Sequence, residues 1–180
     1  MERVELEHLI AAAANIVGED EFIVIGSQAI LGSLVDAPDE MLFSMEADFY
    51  PRLSPDKAIQ IDGALGDGSP FHETYGFYAH GVGPKTALPP SGWEERLVRL
   101  KIPARIGSSR SPVAYCLEPN DLVLAKCVAG RGRDWDYARA AIRAAIVQPQ
   151  ILLERVDSLP VNEQRRLRIR AGIEGLLADS

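Results

Sequence analysis

The sequence predicts an α/β (α+β) fold, a small mixed β-sheet flanked by helices with a C-terminal helical tail. Three observations carry this. Short β-branched or alternating runs are interleaved with helical patterns as far as Leu117, and after Pro119 every segment has helical periodicity. The third is that 180 residues, 47% of them hydrophobic, suffice for one substantial core. Residues 1–118 are expected to form the α/β core and 119–180 a helical region packed on it, in a single compact unit.

Taken in order, Leu6, Leu9, Ile10, Ala13, Ile16 and Val17 recur at helical spacing between Val4 and Val17, with Glu5, Glu7 and His8 on the other side. Glu21 to Ile25 is a buried-strand run that enters Gly26 and Ser27, and the stretch from Gln28 reads as a second helix. A loop at Asp36 to Asp39 leads to a strand from Met45 to Tyr50, in which Glu46 and Asp48 alternate with Met45, Ala47 and Phe49, and Pro51 ends it. Ser54 and Pro55 read as N-cap and first position of a helix running towards the glycine-rich segment Gly63 to Gly68, which is expected to be a loop. Tyr75 to Val82, Arg96 to Ile102 and Ala114 to Leu117 read as further strands. Helices are expected over Asn120 to Ala129, Trp135 to Val147, Ile151 to Val156 and Asn162 to Leu177.

Composition excludes several classes. Nineteen Lys and Arg against 26 Asp and Glu give a net charge of −7, so no global positive field draws the chain to nucleic acid or anionic lipid. Two cysteines, Cys116 and Cys127, cannot build a disulfide framework, and His8, His72 and His80 lack zinc-ligand spacing. The N-terminus is acidic, unlike a signal peptide, and no apolar run approaches the ~18 residues of a membrane span. A cytoplasmic protein with no membrane partner is the expectation.

Glu46 and Asp48, at i and i+2 on one strand, share a face of the sheet a few ångströms apart and repel unless something positive lies between them. Such a pair alone is ordinarily a solvated strand face. Here it follows Gly26 and Ser27, at a strand-to-helix turn whose N–H groups favour an anion, although Ser27 could equally be a plain N-cap. Gly26 would let backbone approach a phosphate, Ser27 would donate its hydroxyl, and Mg²⁺ (or Mn²⁺) held by Glu46 and Asp48 would bridge the phosphate oxygens.

Strand, Gly-Ser, helix, loop and acid-x-acid strand together resemble the signature of the nucleotidyltransferase superfamily, the polymerase-β-like fold, with Glu46 where the first Asp usually stands. Ile25 to Gly32, Ser44 to Pro51, Ser69 to Tyr78 and Leu88 to Leu97 resemble a bacterial branch of small nucleotidyltransferase-like proteins of unknown function, whose relatives include abortive-infection and toxin–antitoxin nucleotidyltransferases. The resemblance spans about residues 4 to 147 and implies a sheet of the nucleotidyltransferase type, catalysis through Glu46 and Asp48, and a nucleoside triphosphate as substrate. It extends through Pro119 to Asp136, where a lysine in such a helix reaches the triphosphate. That implicates Lys126, for which a solvated surface position is the alternative. Asp121 is expected at the helix N-terminus, where its charge meets the dipole. Arg131 and Arg133 could supply phosphate donors, while Asp134 is expected to cap the next helix.

The departure lies at the third metal carboxylate, expected near Tyr78 to His80, where this chain has His80. Hard cations prefer oxygen donors, so His80 suggests a weaker metal site or a general base, with Asp62, Asp67 and Glu73 as substitute ligands by composition. His72 is expected to tether a loop. If active, the protein would transfer a nucleotidyl group to an acceptor that the sequence leaves open among RNA, protein and small molecule. The competing readings are a catalytically degraded binding or antitoxin protein with a cognate protein partner, and a metal-dependent phosphohydrolase.

Overall fold

The computed structural model of the chain describes residues 1–103 and 110–178. Helix α1 (Arg3–Val17) starts at a capping box, in which the Glu5 carboxylate accepts from the Glu2 amide at 2.6 Å, and stops at Gly18, whose φ of 71° suits glycine. Its buried face, Leu6, Leu9, Ile10, Ala13, Ala14 and Val17, matches the helical period. The strands are β1 (Glu21–Val24), β2 (Glu46–Pro51), β3 (Tyr78–Gly81), β4 (Val98–Lys101) and β5 (Val113–Cys116), in the order β3-β2-β1-β5-β4. β1 pairs antiparallel with β2 and parallel with β5, β2 pairs parallel with β3, and β4 pairs antiparallel with β5. The sheet is therefore mixed and small, as expected.

Several elements differ from their sequence expectation. The segment after Gly26 is a 3₁₀ helix, Ser27–Gly32, whose end packs so tightly on β5 that a Cβ on Gly32 would lie 2.5 Å from the Cβ of Cys116. A single-turn helix α2 (Asp39–Leu42) precedes β2. Ser54 does not cap the following helix, because its hydroxyl donates to Glu19 Oε1 at 2.9 Å; a 3₁₀ turn at Pro55–Lys57 leads instead into α3 (Ala58–Leu65). The segment read as loop and early strand holds another helix, α4 (Pro70–Tyr75), capped by Ser69 Oγ accepting the His72 amide and ended by Gly76 in the left-handed region. The strand predicted from Tyr75 thus begins only at Tyr78, and that predicted from Arg96 begins at Val98, after a 3₁₀ turn at Trp93–Arg96.

The tail consists of α5 (Pro119–Ala129), α6 (Gly132–Arg143), α7 (Pro149–Arg155) and α8 (Glu163–Ala178). One hydrophobic cluster runs from Leu6 to Leu176, with Phe22 of β1 and Phe49 of β2 edge to face at 5.9 Å, so tail and sheet share a core. Asp121 is fully buried. It stands in the first turn of α5, as expected, and there pairs with Arg96 at 2.7 Å and with Arg155 at 2.8 Å, and Arg155 also bonds Glu118 at 2.7 Å. That network fixes the start of α5 to the segment before β4 and to α7. No helix among the described residues is long and apolar enough to cross a membrane.

Candidate active site

β1 delivers the chain to Gly26, whose backbone lies against Asp48 of the neighbouring strand: the Ile25 amide donates to the Asp48 carbonyl at 2.9 Å. A Cβ on Gly26 would stand 2.0 Å from Asp48 Oδ2, so only glycine leaves room for that carboxylate. On β2, Ala47 and Phe49 are buried while Glu46 and Asp48 point the other way, the period of a strand with one packed face. The parallel register then sets Tyr78 beside Glu46 and His80 beside Asp48. Tyr78 donates its hydroxyl to Glu46 Oε2 at 3.2 Å, and His80 Nδ1 lies 2.9 Å from Asp48 Oδ1.

The facing wall comes from α5 and α6. Lys126 Nζ donates to Ser27 Oγ at 2.8 Å, lies 3.6 Å from Asp134 Oδ1 and stands 4.4 Å over the Tyr137 ring. Tyr137 in turn donates its hydroxyl to the Ser27 carbonyl at 3.1 Å, tying α6 to the turn after β1. Asp134 accepts from the Arg131 amide at 3.1 Å and from its Nε at 2.8 Å, so it caps α6 as expected and also faces Lys126. Between the two walls is a cleft of about 890 Å³ lined by Gly26, Ser27, Glu46, Asp48, His80, Lys126, Arg131 and Arg133. All eight site residues named from the sequence meet there.

In comparison with protein families, residues 4–170 match the model described as nucleotidyltransferase of unknown function (DUF6036). The chain belongs to this nucleotidyltransferase family. No curated protein and no solved structure matches it.

Burial, and after it the charge of Glu46, pushes the Asp48 carboxyl above the usual carboxylate range, with His80 and Lys126 opposing only in part. Burial likewise pulls the Lys126 ammonium below the lysine range, against the opposite pull of Asp134 and Asp48. Burial would raise Asp134 too, but the hydrogen bond from Arg131 and the charge of Lys126 outweigh it and hold that carboxyl low. The nucleotidyltransferase cleft thus has an acid-rich wall that resists its own negative charge and a basic wall across from it.

Three acids offered as substitute ligands lie elsewhere. None of Asp62, Asp67 and Glu73 lines the cleft: Asp62 Oδ1 accepts the Gly81 amide at 3.3 Å on the sheet edge, and Asp67 lies 3.1 Å from His72. His72 Nδ1 accepts the Gly68 amide at 3.1 Å, which ties down the turn before α4. Among the described residues no three His, Cys, Asp or Glu side chains form a metal-holding group.

Sequence reasoning missed cleft residues on two helices. Arg139, Arg143 and Tyr137 of α6 line it, as does Phe43 just after α2. The signal was available for α6, since Arg133, Asp136, Arg139 and Arg143 recur at spacings that keep them on one helical face.

Proposed function

We propose that this protein transfers a nucleotidyl group from a nucleoside triphosphate to an acceptor hydroxyl, which attacks the α-phosphorus as pyrophosphate leaves. The observation that carries the reading is the placement of Asp48, wedged against Gly26 and beside Glu46, across from Ser27 and Lys126. Two carboxylates on one strand face, one of them penalised for its charge by burial and by its neighbour, suit a divalent cation completed by phosphate oxygens and water. Glu46 and Asp48 would hold that Mg²⁺ or Mn²⁺, which would supply charge neutralisation to the phosphates.

The protein's own groups do the rest. The Ser27 hydroxyl and Lys126 ammonium bind phosphate oxygens, with Arg131 and Arg133 at the same end of the cleft. With its Nδ1–H donated to Asp48, His80 leaves Nε2 free to accept the proton of the acceptor hydroxyl, an arrangement of base and orienting carboxylate. Free buried Cys116 and Cys127 suit a reducing cytoplasm.

A second reading draws on His80 standing in register with Asp48, where a third carboxylate would complete an oxygen-ligand set. It is a binding protein, antitoxin-like in role, that keeps the nucleotide cleft without turnover. Purified protein incubated with Mg²⁺ or Mn²⁺ and each α-labelled triphosphate, with total RNA, with cell protein and with no acceptor, separates the readings. Label on an acceptor supports transfer; bound triphosphate without product supports the binder; release of phosphate alone points to a hydrolase and overturns both.

A further inference from the structure

The triphosphate groups gather at the start of α6, yet the cleft continues along that helix. Arg133, Asp136, Arg139, Ala140 and Arg143 all line it, so one face of α6 forms the wall from Arg133 to Arg143, about 15 Å at the helical rise. Arg139 is half-buried and pairs with Asp136 at 3.5 Å. Arg133 and Arg143 are exposed, and among the described residues neither guanidinium has an ion-pair or hydrogen-bond partner. Exposed guanidinium groups left unpaired in a concave wall offer planar donors matched to phosphate oxygens. They stand out in a chain whose net charge is −7.

The other wall at this end supplies an aromatic ring. Phe43, at the C-terminal end of α2, lines the same cleft and is 81% exposed, the most exposed large hydrophobic side chain among the described residues. α2 packs on α6, which puts this ring and the arginine row on adjoining elements. Glu40 shares the α2 wall, so the positive charge is concentrated on α6. A cleft of about 890 Å³ is near the top of the range for small-molecule sites.

We propose that Arg139, Arg143 and Phe43 form an acceptor subsite for the end of a single-stranded nucleic acid, the arginines on its phosphates and Phe43 stacked on a base. Backbone-tracking cations combined with an exposed ring are what single-strand recognition requires. The proposal rests on the nucleotidyl-transfer reading of this cleft, since it names the class of acceptor.

Binding without turnover tests it separately from that reading. A short fluorescein-labelled single-stranded RNA of mixed sequence is titrated with the full chain at several salt concentrations, and a non-hydrolysable triphosphate is titrated calorimetrically in parallel. The variants are Arg139→Gln, Arg143→Gln and Phe43→Ala, with thermal midpoints confirming that each is folded. Each arginine change is expected to weaken RNA binding about tenfold and to reduce the slope of log K on log salt by about 0.7. Phe43→Ala is expected to weaken it about tenfold with no change of slope. Triphosphate affinity should be unchanged in all three. RNA binding that is absent, or equal in wild type and variants, overturns the proposal. So does a loss of triphosphate affinity, which would make these residues part of the nucleotide's own site, and so does preferential binding of an acidic peptide over the RNA. Absence of nucleotide transfer with the RNA subsite intact would instead count against the reaction alone.

Discussion

Gly26 and Asp48 occupy a shared space: the position that a side chain at residue 26 would take is filled by the Asp48 carboxylate, 2.0 Å from where the Cβ would be. The contact couples the turn after β1 to the acid of β2, and so sets where a phosphate at Ser27 would stand relative to a cation at Asp48. Gly26 also has a φ of 21°, which L side chains rarely adopt.

Gly26→Ala is therefore expected to displace the Asp48 side chain and to cost about 1–3 kcal/mol of stability. Denaturant unfolding measures the cost, and triphosphate titration measures the lost binding. A variant as stable as wild type, with unchanged affinity, would show that the backbone yields freely at this point.

Asp48 should make the ligand-free protein less stable at neutral pH than in acid, where its carboxyl is neutral. Its folded pKa is raised by burial and by Glu46, so its favourable contribution is complete below the ordinary aspartate range and is lost as pH rises through the folded value. Asp48→Asn is expected to exceed wild type in stability at neutral pH, the difference shrinking as pH falls towards the ordinary aspartate value. Thermal midpoints across that range check it; a difference independent of pH would contradict the assignment.

Lys126 is held by Ser27, Asp134 and the Tyr137 ring at the mouth of the proposed phosphate site. Lys126→Ala should weaken triphosphate binding by about 1–3 kcal/mol, and Lys126→Arg should restore it only in part, because the larger guanidinium fork cannot take the place of a compact ammonium held between Ser27 and Asp134. Equal affinities across the three proteins would return Lys126 to a structural role.

Asp121 tests the frame behind the site. Asp121→Ala leaves Arg96 and Arg155 without their buried partner, and a loss of about 3–5 kcal/mol is expected, a fall in thermal midpoint of about 10 °C or more. Glu118 in the same network is held below the usual carboxylate range, since the Asn120 and Arg155 hydrogen bonds outweigh burial. Its contribution is thus present above the ordinary glutamate value and is lost as pH falls through the lower folded one. An unchanged midpoint in Asp121→Ala would show that the network is not structural.

Where the sequence was legible, one local pattern sufficed. Alternation marked β2 and put Glu46 and Asp48 on one face, and the strand-Gly-Ser transition located the turn that packs against Asp48. Partnerships set by tertiary register were less so: that Tyr78 meets Glu46 follows from the parallel pairing of β2 with β3, which no local pattern carries. α4 was missed because glycines on both sides of it read as loop and because Tyr75, Phe77 and Tyr78 look like strand residues, whereas the Ser69-Pro70 start is a helix signal. Asp121 stands in the first turn of α5 as its position in the sequence implies, but its two arginine partners lie 25 and 34 positions away in the chain, beyond any local pattern.

Glu46 and Asp48 are proposed to form, with Ser27 and Lys126, a site for a triphosphate and its divalent cation. Calorimetric titration of a non-hydrolysable nucleoside triphosphate, with and without Mg²⁺, into wild type and Asp48→Asn tests it most directly. Wild type should bind more tightly with Mg²⁺, and Asp48→Asn should lose that dependence while remaining folded. Affinity that is the same with and without Mg²⁺ in wild type, or an Mg²⁺ dependence that survives in Asp48→Asn, would contradict the account.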